Sequence, residues 1–197
     1  MWSFPSGEST LTETSTTFPK PGTRIAVIGA TGSGKTTLAQ QLGGILDLPV
    51  IELDALHWMP GWKEKPWPEI RAALNPLTQK NSWITDGNYS QLRDLIWPRA
   101  DTIIWLDYPF LLIFFRLFVR TLKRVFLKQE LWNGNRERFH DNFLSRDSLF
   151  VWLLKSRTKH KKNYPLAFQE PQHAHLQILR FTHPRQTKCW LKSINQS

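Results

Sequence analysis

"RIAVIGATGSGKTTLAQQLGGIL", residues 24–46, decides the fold. Its first five residues form an apolar run with the look of a strand buried on both faces, and its last ten have helical spacing. Between them "GATGSGKT" fits GxxxxGK[ST] at Gly29, Gly34, Lys35 and Thr36. In such a loop the backbone N–H groups of Gly29, Ala30, Thr31, Gly32, Ser33, Gly34, Lys35, Thr36 and Thr37 curl around phosphate oxygens, and the helix N-terminus adds its positive end. Lys35 contributes a compact positive charge, and the Thr36 hydroxyl can ligate Mg²⁺. A plain glycine-rich turn needs neither Lys35 nor Thr36. The expected ligands are therefore a nucleoside triphosphate, taken as ATP, and Mg²⁺.

Working outward, "VIEL" (50–53), "SWIT" (82–85), "TIIWL" (102–106) and "LQILRF" (176–181) have the look of further buried strands, and helices fit 35–46, 67–80, 109–128, 142–162 and 184–194. Strands separated by helix-length connections predict right-handed crossovers and an α/β fold of three layers, with a five-stranded parallel sheet between helices. Residues 1–22 are rich in Ser, Thr, Pro and Gly without periodicity and are expected to be a disordered leader, leaving one domain over 23–197. A single cysteine, Cys189, precludes an internal disulfide, and no secretory h-region follows Met1, so a cytoplasmic setting is expected.

Asp86 ends the apolar run in "WITDGNYS" (83–90), where a phosphate-loop enzyme holds Mg²⁺ through an aspartate at the tip of a neighbouring strand. A strand-to-turn Asp-Gly is the plainer alternative. Asp54 follows the second strand in "IELDALHWMPGW" (51–62). Ligands of open parallel sheets bind at the carboxyl ends of the strands, so Asp54 is expected in the same crevice as residues 29–37. There it either orients an acceptor hydroxyl and takes its proton, or caps a helix or loop. Trp58 and Trp62 form either an acceptor wall or core packing.

The chain carries a formal net charge of +10, and residues 110–164 hold 13 Lys and Arg against 4 Asp and Glu. Within that stretch Arg116, Arg120 and Arg124 recur on one helical face, while Arg136 and Arg138 stand in a polar connection with Gly134. Arginines on a hinged segment could close over a triphosphate. A solvated basic face and a membrane-surface helix are the other readings. "FLLIFF" is far too short to span a bilayer. After the last strand, "FTHPRQ" (181–186) opens the last helix with Pro184 in its first turn, and Pro184 and Arg185 are candidates for the adenine side.

In this order the motifs resemble the adenylate-kinase-like group of phosphate-loop proteins, and within it the bacterial family of topology-modulation (FlaR-like), adenylate-kinase-related proteins. "RIAVIGATGSGKTTLAQQL", "LPVIELDALHWMPGW", "WITDGNYS", "ADTIIWLDYP", the arginine series and "HLQILRFTHPRQTKCWL" carry the likeness. The resemblance implies the nucleoside monophosphate kinase type of fold, with an acceptor-binding segment at about 55–80 and an arginine-bearing lid at about 127–142. In adenylate kinases a Phe-Pro-Arg sequence follows the Asp-Gly. Here "DGNYS" replaces it, so AMP is not implied as the acceptor. The short stretch after the second strand is similar to that of shikimate- and gluconate-type kinases, in which an aspartate there contacts the acceptor hydroxyl.

Two functions follow as expectations. One is a kinase that transfers the ATP γ-phosphoryl group to a small acceptor, with Lys35, Asp54, Arg116, Arg120, Arg136 and Arg138 as its catalytic group and Thr36 and Asp86 at the metal. The other is a nucleotide-dependent regulatory ATPase whose basic half binds nucleic acid or an anionic surface.

Overall fold

The computed structural model describes residues 19–127, 130, 132–135 and 149–196. In chain order the elements begin with β1 (Arg24–Gly29), α1 (Lys35–Leu46), β2 (Val50–Glu52), α2 (Leu53–His57), β3 (Trp58–Met59), β4 (Lys63–Glu64) and α3 (Trp67–Thr78). They continue with β5 (Trp83–Asp86), α4 (Arg93–Ile96), β6 (Thr102–Leu106), α5 (Phe110–Phe126), α6 (Leu149–Phe168), β7 (Gln177–Phe181) and α7 (Pro184–Asn195).

Five strands make one sheet in the order β2-β5-β1-β6-β7, with every pairing parallel. Alternation along each strand sends side chains into two cores. Ile25 and Val27 of β1 pack with Leu38, Leu42, Leu117 and Trp190, while Ala26 and Ile28 pack on the other face with Ile70, Leu74 and Tyr164. Each fully buried leucine or isoleucine contributes about 2 kcal/mol, which accounts for the continuous apolar runs of β1 and β6. β1 sits at the centre, where the strand order reverses, so the loop leaving its carboxyl end opens into the crevice of the sheet.

Several boundaries differ from expectation. β2 stops at Glu52 because Leu53 turns into α2, whose first turn carries Asp54. α6 runs on to Phe168, through Pro165, beyond the expected end at residue 162. Tyr164 and Ala167 are buried against the sheet, and that packing outweighs the missing donor of Pro165. The expected helical residues 142–148 lie outside the described residues. The antiparallel hairpin β3–β4 was not expected; its three-residue loop holds Gly61 and Trp62 at φ 76° and 57°. Among the described residues no helix is long and apolar enough to cross a membrane.

Candidate active site

The phosphate loop leaves β1 in a shape that only glycine adopts cheaply. Gly32 and Gly34 have φ 78° and 96°, and a Cβ on Gly32 would stand 3.0 Å from the Ile113 carbonyl oxygen and 3.1 Å from Leu117 Cβ. The loop therefore lies directly under α5. The Ser33 N–H closes the turn by donating to the Ala30 carbonyl at 3.1 Å, and α1 starts at Lys35, so its first-turn N–H groups have no intrahelical partner. Gly29 and Ala30 are buried behind the loop, whereas Thr31, Gly32, Ser33, Gly34, Lys35, Thr36 and Thr37 line the cleft.

Lys35 Nζ donates to the Ala30 carbonyl at 3.3 Å. Loss of water around the ammonium pushes its pKa down, and the carboxylates of Asp86 and Asp54 oppose that shift. Asp86 closes β5 beside Val27 of β1, and its buried side chain is hydrogen-bonded by the Thr36 hydroxyl. Burial raises its carboxyl above the ordinary carboxylate range, while Lys35 and Thr36 pull it back. A buried carboxylate next to a hydroxyl, both opening on the phosphate loop, is a donor set of hard oxygens that fits Mg²⁺.

Opposite the loop, α2 and the hairpin build a wall. The Tyr89 hydroxyl donates to Asp54 Oδ1 at 2.6 Å. Burial and then the negative charge of Asp54 push the Tyr89 phenol well above its usual value. The His57 ring stacks on Trp67 (centroids 5.1 Å), meets Tyr89 at 4.8 Å and meets Trp58 edge-on at 4.7 Å, and Trp58 in turn meets Trp62 edge-on at 5.4 Å. Asp54, His57, Trp58, Trp62, Glu64 and Tyr89 all line the cleft. The short turn after α5 fastens this wall. Trp132 Nε1 donates to Glu52 at 2.8 Å, and Asn135 accepts from the Trp62 N–H at 2.9 Å and donates to the Met59 carbonyl at 3.0 Å.

α5 crosses the loop and presents Arg116, Arg120 and Arg124 to the cleft. Arg116 donates to the Ser33 carbonyl at 3.3 Å and lies over the Tyr108 ring at 5.6 Å. Arg120 is close enough to lower the Lys35 pKa. At the far end the cleft, about 1660 Å³ in all, is lined by Pro184, Thr187, Lys188 and Leu191. Arg185 does not line it; its N–H donates to His183 Nδ1 at 3.2 Å within a capping box completed by Gln186. Arg136 and Arg138 lie outside the described residues.

Lys35, Thr36, Asp86, Asp54, Arg116, Arg120 and Pro184 thus surround one cleft. His57, Glu64, Tyr89 and Trp132 join them without having been singled out in the sequence. For Tyr89 a signal existed, since "DGNYS" departs from the Phe-Pro-Arg that follows Asp-Gly in adenylate kinases. The Trp132 contact spans 80 residues and leaves no local trace.

No family model matches the chain, and no curated protein matches it in sequence. Among solved structures it is similar to shikimate kinase from Bacteroides thetaiotaomicron, at 17% identity over 88% of this chain and 97% of that chain, with a TM-score of 0.50. It is also similar to shikimate kinase from Acinetobacter baumannii in complex with shikimate, at 17% identity over 89% of this chain and 92% of that chain, with a TM-score of 0.55. At these identities the likeness is one of fold: the parallel α/β sheet between helices of the phosphate-loop kinases.

Proposed function

We propose that the protein is an ATP- and Mg²⁺-dependent phosphotransferase that moves the γ-phosphoryl group to the hydroxyl of a small acceptor. One observation carries the reading. Asp54, held by Tyr89, faces the same cleft as Lys35, Thr36 and Asp86, which puts a proton acceptor opposite a phosphate cradle.

In this reading the N–H groups of residues 31–37 and Lys35 hold the β- and γ-phosphates, and Thr36 and Asp86 hold Mg²⁺, which neutralises phosphate charge when bound. Asp54 orients the acceptor and takes its hydroxyl proton. The acceptor oxygen bonds to the γ-phosphorus as the bond from that phosphorus to the β–γ bridging oxygen breaks, and the electron pair leaves on ADP. Arg116 and Arg120 stabilise the charge that spreads over the transferring group. Residues 55–80 are assigned to the acceptor and 127–142, with Arg136 and Arg138, to a cover, while Pro184 borders the base. The order of motifs further supports kinship with the topology-modulation, adenylate-kinase-related proteins, working on cytoplasmic ATP.

Three arginines of the basic second half, Arg116, Arg120 and Arg124, face this cleft, which supports a use for them there. The experiment is ADP release from Mg²⁺ and ATP, alone and against pools of hydroxylated metabolites and nucleoside monophosphates. Stimulation by one pool is expected, abolished by Lys35→Ala and lowered about 10²- to 10⁴-fold by Asp54→Asn. Failure to bind ATP in the presence of Mg²⁺ would sink the reading.

A further inference from the structure

The acceptor wall has a chemistry of its own. Residues 53–89 contribute three carboxylates to the cleft, Asp86 beside the phosphate loop, Asp54 under the Tyr89 hydroxyl and Glu64 on the hairpin, together with the rings of His57, Trp58, Trp62 and Tyr89. No lysine or arginine of that stretch lines it. Arg71 is engaged elsewhere, forked onto Asp94 at 2.8 and 2.6 Å, and Arg93 lies over Trp97 at 4.5 Å. Among the described residues, the cations of the cleft stand on the phosphate loop, α5 and α7.

Such a wall repels anions twice, through its carboxylates and through the electron-rich faces of its rings. A carboxylate or phosphate on the acceptor would find no partner on it. A cation is attracted by the same two features. Glu64 is largely exposed at the mouth, with its Oε1 3.8 Å from His57 Nε2, while His57 Nδ1 is buried without a hydrogen-bond partner. The wall thus has one unused polar atom inside and one negative charge outside, flanking the Trp58–Trp62 pair.

We propose that the acceptor is an ammonium-bearing alcohol, its cationic group held between the Trp58 and Trp62 rings and Glu64 while its hydroxyl lies at Asp54. This rests on the phosphotransferase reading and narrows it: hydroxy acids and nucleoside monophosphates are excluded as acceptors, and neutral polyols and nucleosides bind less well.

The test compares three panels with the full-length protein, Mg²⁺ and ATP, reading ADP release: ethanolamine, choline and glucosamine; gluconate, shikimate and AMP; glucose, inositol and adenosine. The amine panel is expected to stimulate most. Glu64→Gln, an isosteric change at an exposed site, should raise the KM for the amine about tenfold and leave kcat and the KM for ATP within about twofold. Preference for the anionic or the neutral panel overturns the proposal while leaving the phosphotransferase reading intact. If no panel stimulates, calorimetric titration with choline and glucosamine in the presence of a non-hydrolysable ATP analogue decides. Amine binding that Glu64→Gln weakens about tenfold upholds the amine site although the catalytic reading fails, and absence of amine binding, or binding that Glu64→Gln leaves unchanged, overturns it.

Discussion

The Tyr89 hydroxyl and the Asp54 carboxylate are joined at 2.6 Å across 35 residues of chain, which fixes the aspartate of α2 against the segment that follows β5. Tyr89→Phe removes this bond and leaves the ring packing against His57. Tyr89 acts through Asp54, so kcat is expected to fall about tenfold while the KM for ATP stays constant, with a stability loss of about 1 kcal/mol. Because burial and neighbouring carboxylates push the phenol upward, it stays protonated through the working range. Wild type should then show no loss of activity attributable to Tyr89 near pH 10. A pH–rate profile in which wild type loses, near pH 10, activity that Tyr89→Phe retains would contradict this.

His160 predicts an acid limb of stability. Its ring stacks on Tyr164 at 4.8 Å and meets the Asn88 amide at 3.2 Å, and burial followed by the charge of Lys35 lowers its pKa to about 4. Between about 6.5 and about 4 the unfolded chain binds a proton that the native state refuses, so stability falls as pH falls through that window and His160 adds no further loss below it. Thermal melts across this range should show a steeper decline for wild type than for His160→Gln. Parallel curves would remove His160 from the account.

Gly32→Ala should damage the cradle. The left-handed φ of 78° costs an alanine about 1 kcal/mol or more, and its Cβ presses on the α5 backbone at 3.0 Å. We expect a stability loss of about 1–3 kcal/mol and at least tenfold weaker ATP binding by calorimetry. An unchanged Kd for ATP would show that the loop does not depend on this close approach.

Trp62 sets stability against function. It is a bulky residue in the left-handed region, at φ 57°, and it lines the cleft. Trp62→Gly relieves about 1–2 kcal/mol of strain and loses about 0.5–1.5 kcal/mol of ring contact with Trp58. Stability should therefore stay within about 1 kcal/mol of wild type in denaturant melts, while the KM for the acceptor rises about tenfold. A large drop in stability would mark Trp62 as a structural support instead.

The sheet was legible because its strands are apolar on both faces, and β1, β5 and β6 could be placed by that alone. Lys35 and Thr36 were legible because the phosphate loop is a local motif, and Asp86 because it closes an apolar run. The aromatic side of the cleft was legible only in part. Trp58 and Trp62 stood out as rings, but His57 and Tyr89 are brought together by stacking between separate segments, which has no period in the sequence. The course of α6 through Pro165 was hidden for a related reason, since burial of Tyr164 and Ala167, and not local propensity, extends it.

The turn at Trp132–Gly134, with Asn135 beside it, behaves like a peg driven into one wall of the cleft. It follows α5 in the chain, whose arginines face the cleft, and it holds Glu52, Met59 and Trp62 on the aromatic side of that cleft. In the proposed reaction any coupling between the two ligands is reciprocal: whatever factor ATP lends to acceptor affinity, the acceptor returns to ATP.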